Sequence, residues 1–162
     1  MTQKSKRQLA LTDLVNRLSF IQVAKGYNTD AGLHIFLGEV PRFGPNDPPA
    51  ALAVVVGDDS PETTGGTTRT RVPFEVQAIV PADMTAPTLA IEEIVADIKE
   101  AVEIEADGSV DRYLGVMNGK PATLSKGLQR GSTRAIRREP GSEYVGASVE
   151  YLATFEEKWG SQ

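Results

Sequence analysis

Apolar residues first recur along this chain at the period of a helix. Leu11, Leu14, Val15, Leu18 and Ile21 make one stripe, which predicts an amphipathic helix over about residues 9–23 with Gly26 as its stop. Leu33-His34-Ile35-Phe36-Leu37, closed by Gly38, is a short apolar run and reads as a buried strand. The stretch 40–49 carries Pro41, Pro45, Pro48 and Pro49 and reads as a loop, because proline supplies no backbone donor. Ala51–Val56 is apolar on both faces and predicts a second strand. Val72, Phe74, Val76, Ala78 and Val80 alternate with Arg71, Pro73, Glu75, Gln77 and Ile79, a period of two that predicts a third, half-buried strand. Pro73 places the start of that strand, or a sheet edge, at its own position. The intervening Gly57–Thr70 is rich in Gly, Thr, Ser and Asp and reads as a long, mobile hairpin loop outside the core.

Helix and strand signals continue in the second half, without an internal repeat. Ile91, Ile94, Val95, Ile98 and Val102 mark a second helix, with Thr88 as its N-cap, Glu92 and Glu93 suited to the positive end of its dipole, and Asp107-Gly108 as its end. Gly108–Gly131 holds several glycines and no clear period, and reads as irregular cover over the core. Thr133–Arg138 is a short strand, and Pro140-Gly141 suits the centre of a type II turn. Val145, Ala147, Val149, Tyr151, Ala153 and Phe155 alternate with Tyr144, Gly146, Ser148, Glu150, Leu152 and Thr154 and give the strongest strand signal of the chain. This order predicts an α/β protein of the α+β type. A mainly antiparallel or mixed sheet of about five strands carries two helices on one face, in one domain over residues 1–162.

Composition narrows the picture. A chain of 162 residues suits a single domain. It contains no cysteine, which excludes disulfides, zinc thiolates and cysteine nucleophiles and favours a reducing compartment. The opening Met-Thr-Gln-Lys-Ser-Lys-Arg has no apolar stretch of the kind a signal peptide needs, and the longest apolar run, Ala50–Val56, is far too short to span a bilayer. A formal net charge of −5 argues against nucleic-acid binding over the whole surface. The charge is unevenly placed, however. Residues 89–111 hold eight acids and one base, whereas 126–138 hold five bases and no acid.

Candidate chemistry is sparse. His34 is the one histidine and sits in an apolar run, where a sheet-face histidine with one hydrogen bond is simpler than an acid/base group or metal ligand. Asp58, Asp59 and Glu62 place carboxylates at short spacing, as hard cations prefer, but their neighbours do not follow an EF-hand. Gly65-Gly66 lacks the lysine and context of a phosphate loop. Glu92, Glu93, Asp97, Glu100 and Glu103 are more simply the polar face of a helix than paired catalytic carboxylates. The basic stretch Lys126–Arg138 has no aromatic residue for base stacking. No catalytic residue, metal ligand or cofactor site is therefore assigned, and the expected role is not enzymatic. What remains is complementarity. Arg134, Arg137 and Arg138 are expected at a contact with a neighbouring subunit, opposite Glu92, Glu93, Asp97 or Glu100, because a head-to-tail contact needs two different complementary patches.

The arrangement resembles the tail terminator proteins of long-tailed bacteriophages. The resemblance is carried by the opening helix followed by Gly26-Tyr27-Asn28-Thr29-Asp30-Ala31-Gly32 and an apolar strand ending in Gly38. A proline-rich loop, the strand Ala51–Val56, a long strand and a central helix follow. Leu114-Gly115 and Arg138-Glu139-Pro140-Gly141-Ser142 then lead into the last strand. It covers nearly the whole chain, through the order of the pieces rather than any one motif. It implies a hexameric ring that caps the tail tube, stops its polymerisation and offers a head-joining surface. The implied partners are further copies of the chain, the tail tube protein and a head–tail connector protein. Genomic DNA would pass the lumen without specific binding, no membrane is involved, and the protein would reside in the virion tail after assembly in the host cytoplasm. The loop residues Asp58, Asp59, Thr64, Gly65, Gly66 and Arg69 are then expected to touch the tube. Alternatives are another head–tail joining or tail completion protein and, from other classes, a small metal-dependent hydrolase or a nucleic-acid-binding module.

Overall fold

The computed structural model of the chain describes residues 5–38, 50–103, 116–117, 120–121, 124–136, 141 and 143–158. The first helix, α1, spans Lys6–Ser19. Ser5 caps it, its side chain accepting a hydrogen bond from the Gln8 amide at 3.2 Å. Ala10, Leu14, Leu18 and, just past its end, Ile21 are buried, so the expected stripe is the buried one. The helix ends four residues earlier than its stripe suggests. Gly26 instead closes a 3-10 turn over Val23–Lys25 with φ +94°. A second 3-10 turn, Ala31–Leu33, shortens the expected strand to β1, Ile35–Leu37. Gly32 is required there, since a Cβ would run into the carbonyls of Leu18 and Ile21 at the end of α1.

Strand β2 is Ala51–Val56, as expected, and it pairs parallel with β1. The segment expected as a mobile loop is instead regular. β3, Ser60–Thr64, pairs antiparallel with the start of β4, Thr67–Pro81, around a tip in which Gly65 and Gly66 both have positive φ. Two consecutive positive φ values are what a tight two-residue hairpin demands, and Thr-rich strands satisfy the pleat without large apolar residues. Thr70, within the supposed loop, is buried. Pro73 neither starts β4 nor lies at an edge. It sits opposite the break between β2 and β3, where the Gly57 amide donates to its carbonyl at 2.8 Å. The proline's own missing donor therefore faces the one gap in the neighbouring ladder.

The second helix, α2, is Pro87–Glu103. Pro87 rather than Thr88 opens it, because proline's fixed φ and absent N–H suit the first helical position. Ala86 precedes it with φ +53° and accepts from the Ala90 amide at 3.4 Å. Glu92 and Glu93 fall beyond the first turn, where the dipole has little hold. The end expected at Asp107-Gly108 lies outside the described residues.

Beyond it, β5 (Val116–Met117) pairs with β6 (Lys120–Pro121) in a separate two-stranded ladder. β7, Leu124–Ile136, is far longer than the strand expected at 133–138 and takes in the end of the stretch read as irregular. Its glycines and lysine carry no strand signal. Pairing with β8, Tyr144–Lys158, orders it across two register shifts. Gly141 has φ +81°, as the third residue of a type II turn requires.

The main sheet has six strands, ordered β1-β2-β4-β8-β7 with β3 joined to β4, and only the β1–β2 pair is parallel. β4 and β8 form its spine, paired from Thr67↔Lys158 to Pro81↔Tyr144. Val72, Phe74, Val76, Ala78, Val149, Tyr151 and Phe155 share one face and form a single cluster with the buried sides of both helices. The fold is thus the mixed sheet with two helices on one face that the pattern predicts. The opposite face is also partly covered, with Ala51, Ala53, Ile79, Ser148 and Thr154 buried.

Candidate functional site

The least expected feature is Asp97, on α2. It is fully buried, and its carboxylate accepts four hydrogen bonds from the turn that follows α1. The backbone and side-chain nitrogens of Asn28 donate to Oδ1 at 3.0 and 2.9 Å. The backbone amide and hydroxyl of Thr29 donate to Oδ2 at 2.9 and 2.7 Å. A buried carboxylate is costly unless several donors replace its water, and two adjacent residues supply them. The result is a latch that fixes the 26–32 turn on α2. Asp97 is therefore not among the acids that a neighbouring subunit could meet. Beside the latch, burial pushes the Tyr27 phenol above its ordinary value, with the Glu100 and Asp97 carboxylates adding to the effect.

The latched turn forms one wall of a half-open cleft of about 430 Å³. Its apolar lining comes from Val23, Leu33, Ala50, Met84, Ala90 and Ile94. Its polar lining comes from Asn28, Thr29, Asp30, His34 and Glu93. One oxygen of Asp30 accepts from the Val23 amide at 2.9 Å. His34 ends the 3-10 turn rather than lying in a strand; it is half-buried and lines this cleft. Val23 and Leu33 are 55% and 57% exposed, and Leu89, four residues before Glu93 on α2, is 68% exposed. Two of the cleft's apolar lining residues, Val23 and Leu33, are therefore largely open to solvent.

A second cluster joins α2 to the far sheet edge. The Tyr151 hydroxyl donates to Glu103 Oε2 at 3.1 Å, and Arg130 Nη1 lies 3.3 Å from the same oxygen. Burial pushes the Tyr151 phenol far above its ordinary value. Glu103 adds to the shift and Arg130 opposes it.

The remaining expected site residues fall in three places. Glu92, Glu93 and Glu100 are exposed on α2. Arg134 is exposed on β7 and pairs at 3.5 Å with Glu150 on its own sheet, so within one subunit it does not meet α2. Arg137 and Arg138 lie outside the described residues. Asp58, Asp59, Gly65 and Gly66 are exposed, and Arg69 lies opposite Glu62 in the hairpin, as Thr64 lies opposite Thr67. Arg7 of α1 ties down the hairpin base, donating to the Gly57 carbonyl at 3.1 Å and pairing with Asp59 at 3.6 Å. Among the described residues no three His, Asp or Glu side chains group in a way that could hold a metal ion, so Asp58, Asp59 and Glu62 do not converge. Among the described residues no helix is long and apolar enough to cross a membrane.

No family model and no curated protein matches the chain. A solved structure does. The chain resembles a component of the "Virion of native gene transfer agent (GTA) particle" with a TM-score of 0.57 and 15% identity, covering 96% of this chain and 100% of that one. At that identity the likeness is one of fold.

Sequence reasoning found the acids of α2 but not their division of labour. Asp97 looks like its neighbours along the chain. The one available signal was its position beside the buried Ile94 and Ile98 on the apolar side of the helix, which is where an acid must find internal donors.

Proposed function

We propose that this protein is a structural subunit of a phage-type tail, a tail-terminator-like protein. In this reading it forms a hexameric ring that caps the tail tube, halts tube polymerisation and offers the surface to which the head joins. The observation that carries the reading is the match in fold, over essentially the full length of both chains, to a component of a gene transfer agent virion. The residues fit such a role. Exposed apolar side chains surround an acidic cleft on one side, and a basic strand lies on another edge, as a subunit with different patches for its neighbours requires. The acids exposed on α2 would repel phosphates if they faced a lumen, letting DNA pass without being gripped. The β3–β4 hairpin, with Asp58, Asp59, Thr64, Gly65, Gly66 and Arg69, is then the tube-contacting element, and a head–tail connector protein takes the other side of the ring.

Light scattering on the purified protein, followed by negative-stain imaging, tests this. The expected result is a discrete oligomer with a central hole, which added to polymerising tube protein limits tube length. A protein that stays monomeric at all concentrations, alone and with tubes, would overturn the proposal.

A further inference from the structure

The cleft between the 26–32 turn and α2 joins an apolar lining to carboxylates that lack a counter-charge. No lysine or arginine contributes to its lining. Among the described residues Glu93 has no hydrogen-bond or ion-pair partner. One oxygen of Asp30 is taken by the Val23 amide at 2.9 Å, and the other is open. Lys25, two residues beyond Val23, lies over the Phe20 ring at 4.2 Å and is not part of the lining. The apolar surface continues past the cleft itself. Val23 and Leu33 are more than half exposed, and so is Leu89. Leu89 precedes Glu93 by four residues, which places the two on one face of α2.

We propose that this cleft binds a segment of a partner protein that carries a leucine- or phenylalanine-sized side chain beside a lysine or arginine. The proposal goes beyond the ring reading and does not depend on it. The volume of about 430 Å³ lies within the range of about 300–1,000 Å³ found for sites that enclose a ligand group. The apolar side chain enters the lining and removes its own surface, and that of Val23 and Leu33, from water. The neighbouring cation meets Glu93 and the open oxygen of Asp30. With an apolar wall on one side, that attraction is stronger than between two fully solvated charges. The same carboxylates argue against other occupants, because they repel nucleic-acid phosphates and anionic lipid headgroups. A free alkylammonium ion would satisfy the acids but leave Val23, Leu33 and Leu89 uncovered, whereas a chain segment extends over them. The wall is also formed in advance. Asn28 and Thr29 are fixed by their four hydrogen bonds to Asp97, so binding does not have to order the turn.

His34 is the one histidine of the chain and lines the cleft, so its ring protons report on the site by NMR in the full, unlabelled protein. Three blocked peptides serve as probes at fixed pH and low salt: Lys-Leu-Lys, Lys-Ser-Lys and Glu-Leu-Glu. The first should shift the His34 signals saturably, with a dissociation constant on the order of millimolar. The other two should bind at least about tenfold more weakly, since each lacks one half of the complement. Glu93→Gln should weaken binding of Lys-Leu-Lys about two- to fivefold, as loss of an exposed charge pair does. Leu89→Ser should weaken it as well. Both positions are exposed, so melting temperatures should match the parent. Equal binding of Lys-Ser-Lys overturns the proposal in favour of a plain counter-ion effect, and equal binding of Glu-Leu-Glu overturns its charge assignment. The absence of a saturable shift with all three peptides overturns it altogether. The ring reading stands or falls separately, on light scattering: a monomeric protein that binds Lys-Leu-Lys as described keeps the cleft and loses the ring.

Discussion

Asp97→Ala is the sharpest probe of how the candidate surface is built. The substitution deletes a fully buried carboxylate that accepts four hydrogen bonds at 2.7–3.0 Å. Hydrogen bonds to charged groups contribute about 1.5–3 kcal/mol each, which would sum to at least about 6 kcal/mol. That sum overshoots, because four donors share one carboxylate and part of its burial penalty disappears with it. Stranding the Asn28 and Thr29 donors should still cost about 3–5 kcal/mol, a large part of the roughly 5–15 kcal/mol that holds a domain together. At about 2–4 °C per kcal/mol for a chain of this size, the melting temperature should fall by roughly 6–20 °C. Asp97→Asn keeps the shape and one acceptor but turns an amide toward the Thr29 donors, and should cost about half as much. Urea unfolding at fixed protein concentration reads both, with the midpoint falling and the slope unchanged. An Asp97→Ala protein within about 0.5 kcal/mol of the parent would refute the latch, since that is the scatter of an ordinary surface change.

Two further outcomes follow from other parts of the structure. Burial and Glu103 raise the Tyr151 phenol above its unfolded value of about 10, so the folded state favours the protonated form. That contribution is complete below pH 10 and is lost as pH rises beyond it; melting temperatures from pH 8 to pH 11 should therefore fall less steeply for Tyr151→Phe than for the parent, and equal slopes would exclude Tyr151 as the cause. Ala86 holds φ +53°, a region that costs a residue with a Cβ about 1–2 kcal/mol. Ala86→Gly should relieve part of it and raise stability by about 0.5–1 kcal/mol in the same urea assay, whereas a loss would mean that the turn before α2 does not hold this conformation.

The periodic elements were legible in the chain because one side of each meets the core. Leu14 and Leu18 on α1 and Ile21 just past its end, Ile94 and Ile98 on α2, and the alternating residues of β4 and β8 are buried where their spacing places them. Burial on one side imposes a period of 3.6 or 2, and the period survives in the sequence. β2 announced itself differently, as a run without alternation, because Ala51, Leu52, Ala53 and Val54 are buried toward both faces. Tertiary structure decided what carries no period. β3 (Ser-Pro-Glu-Thr-Thr) and the first half of β7 (Leu-Ser-Lys-Gly-Leu-Gln-Arg) carry no alternation of apolar and polar residues, and they are strands only because β4 and β8 offer them open ladders. Pro73 looked like a strand end because a sequence does not reveal where a neighbouring ladder breaks. Asp97 looked like a surface acid because hydrogen-bond donors 68 and 69 residues away leave no mark beside it.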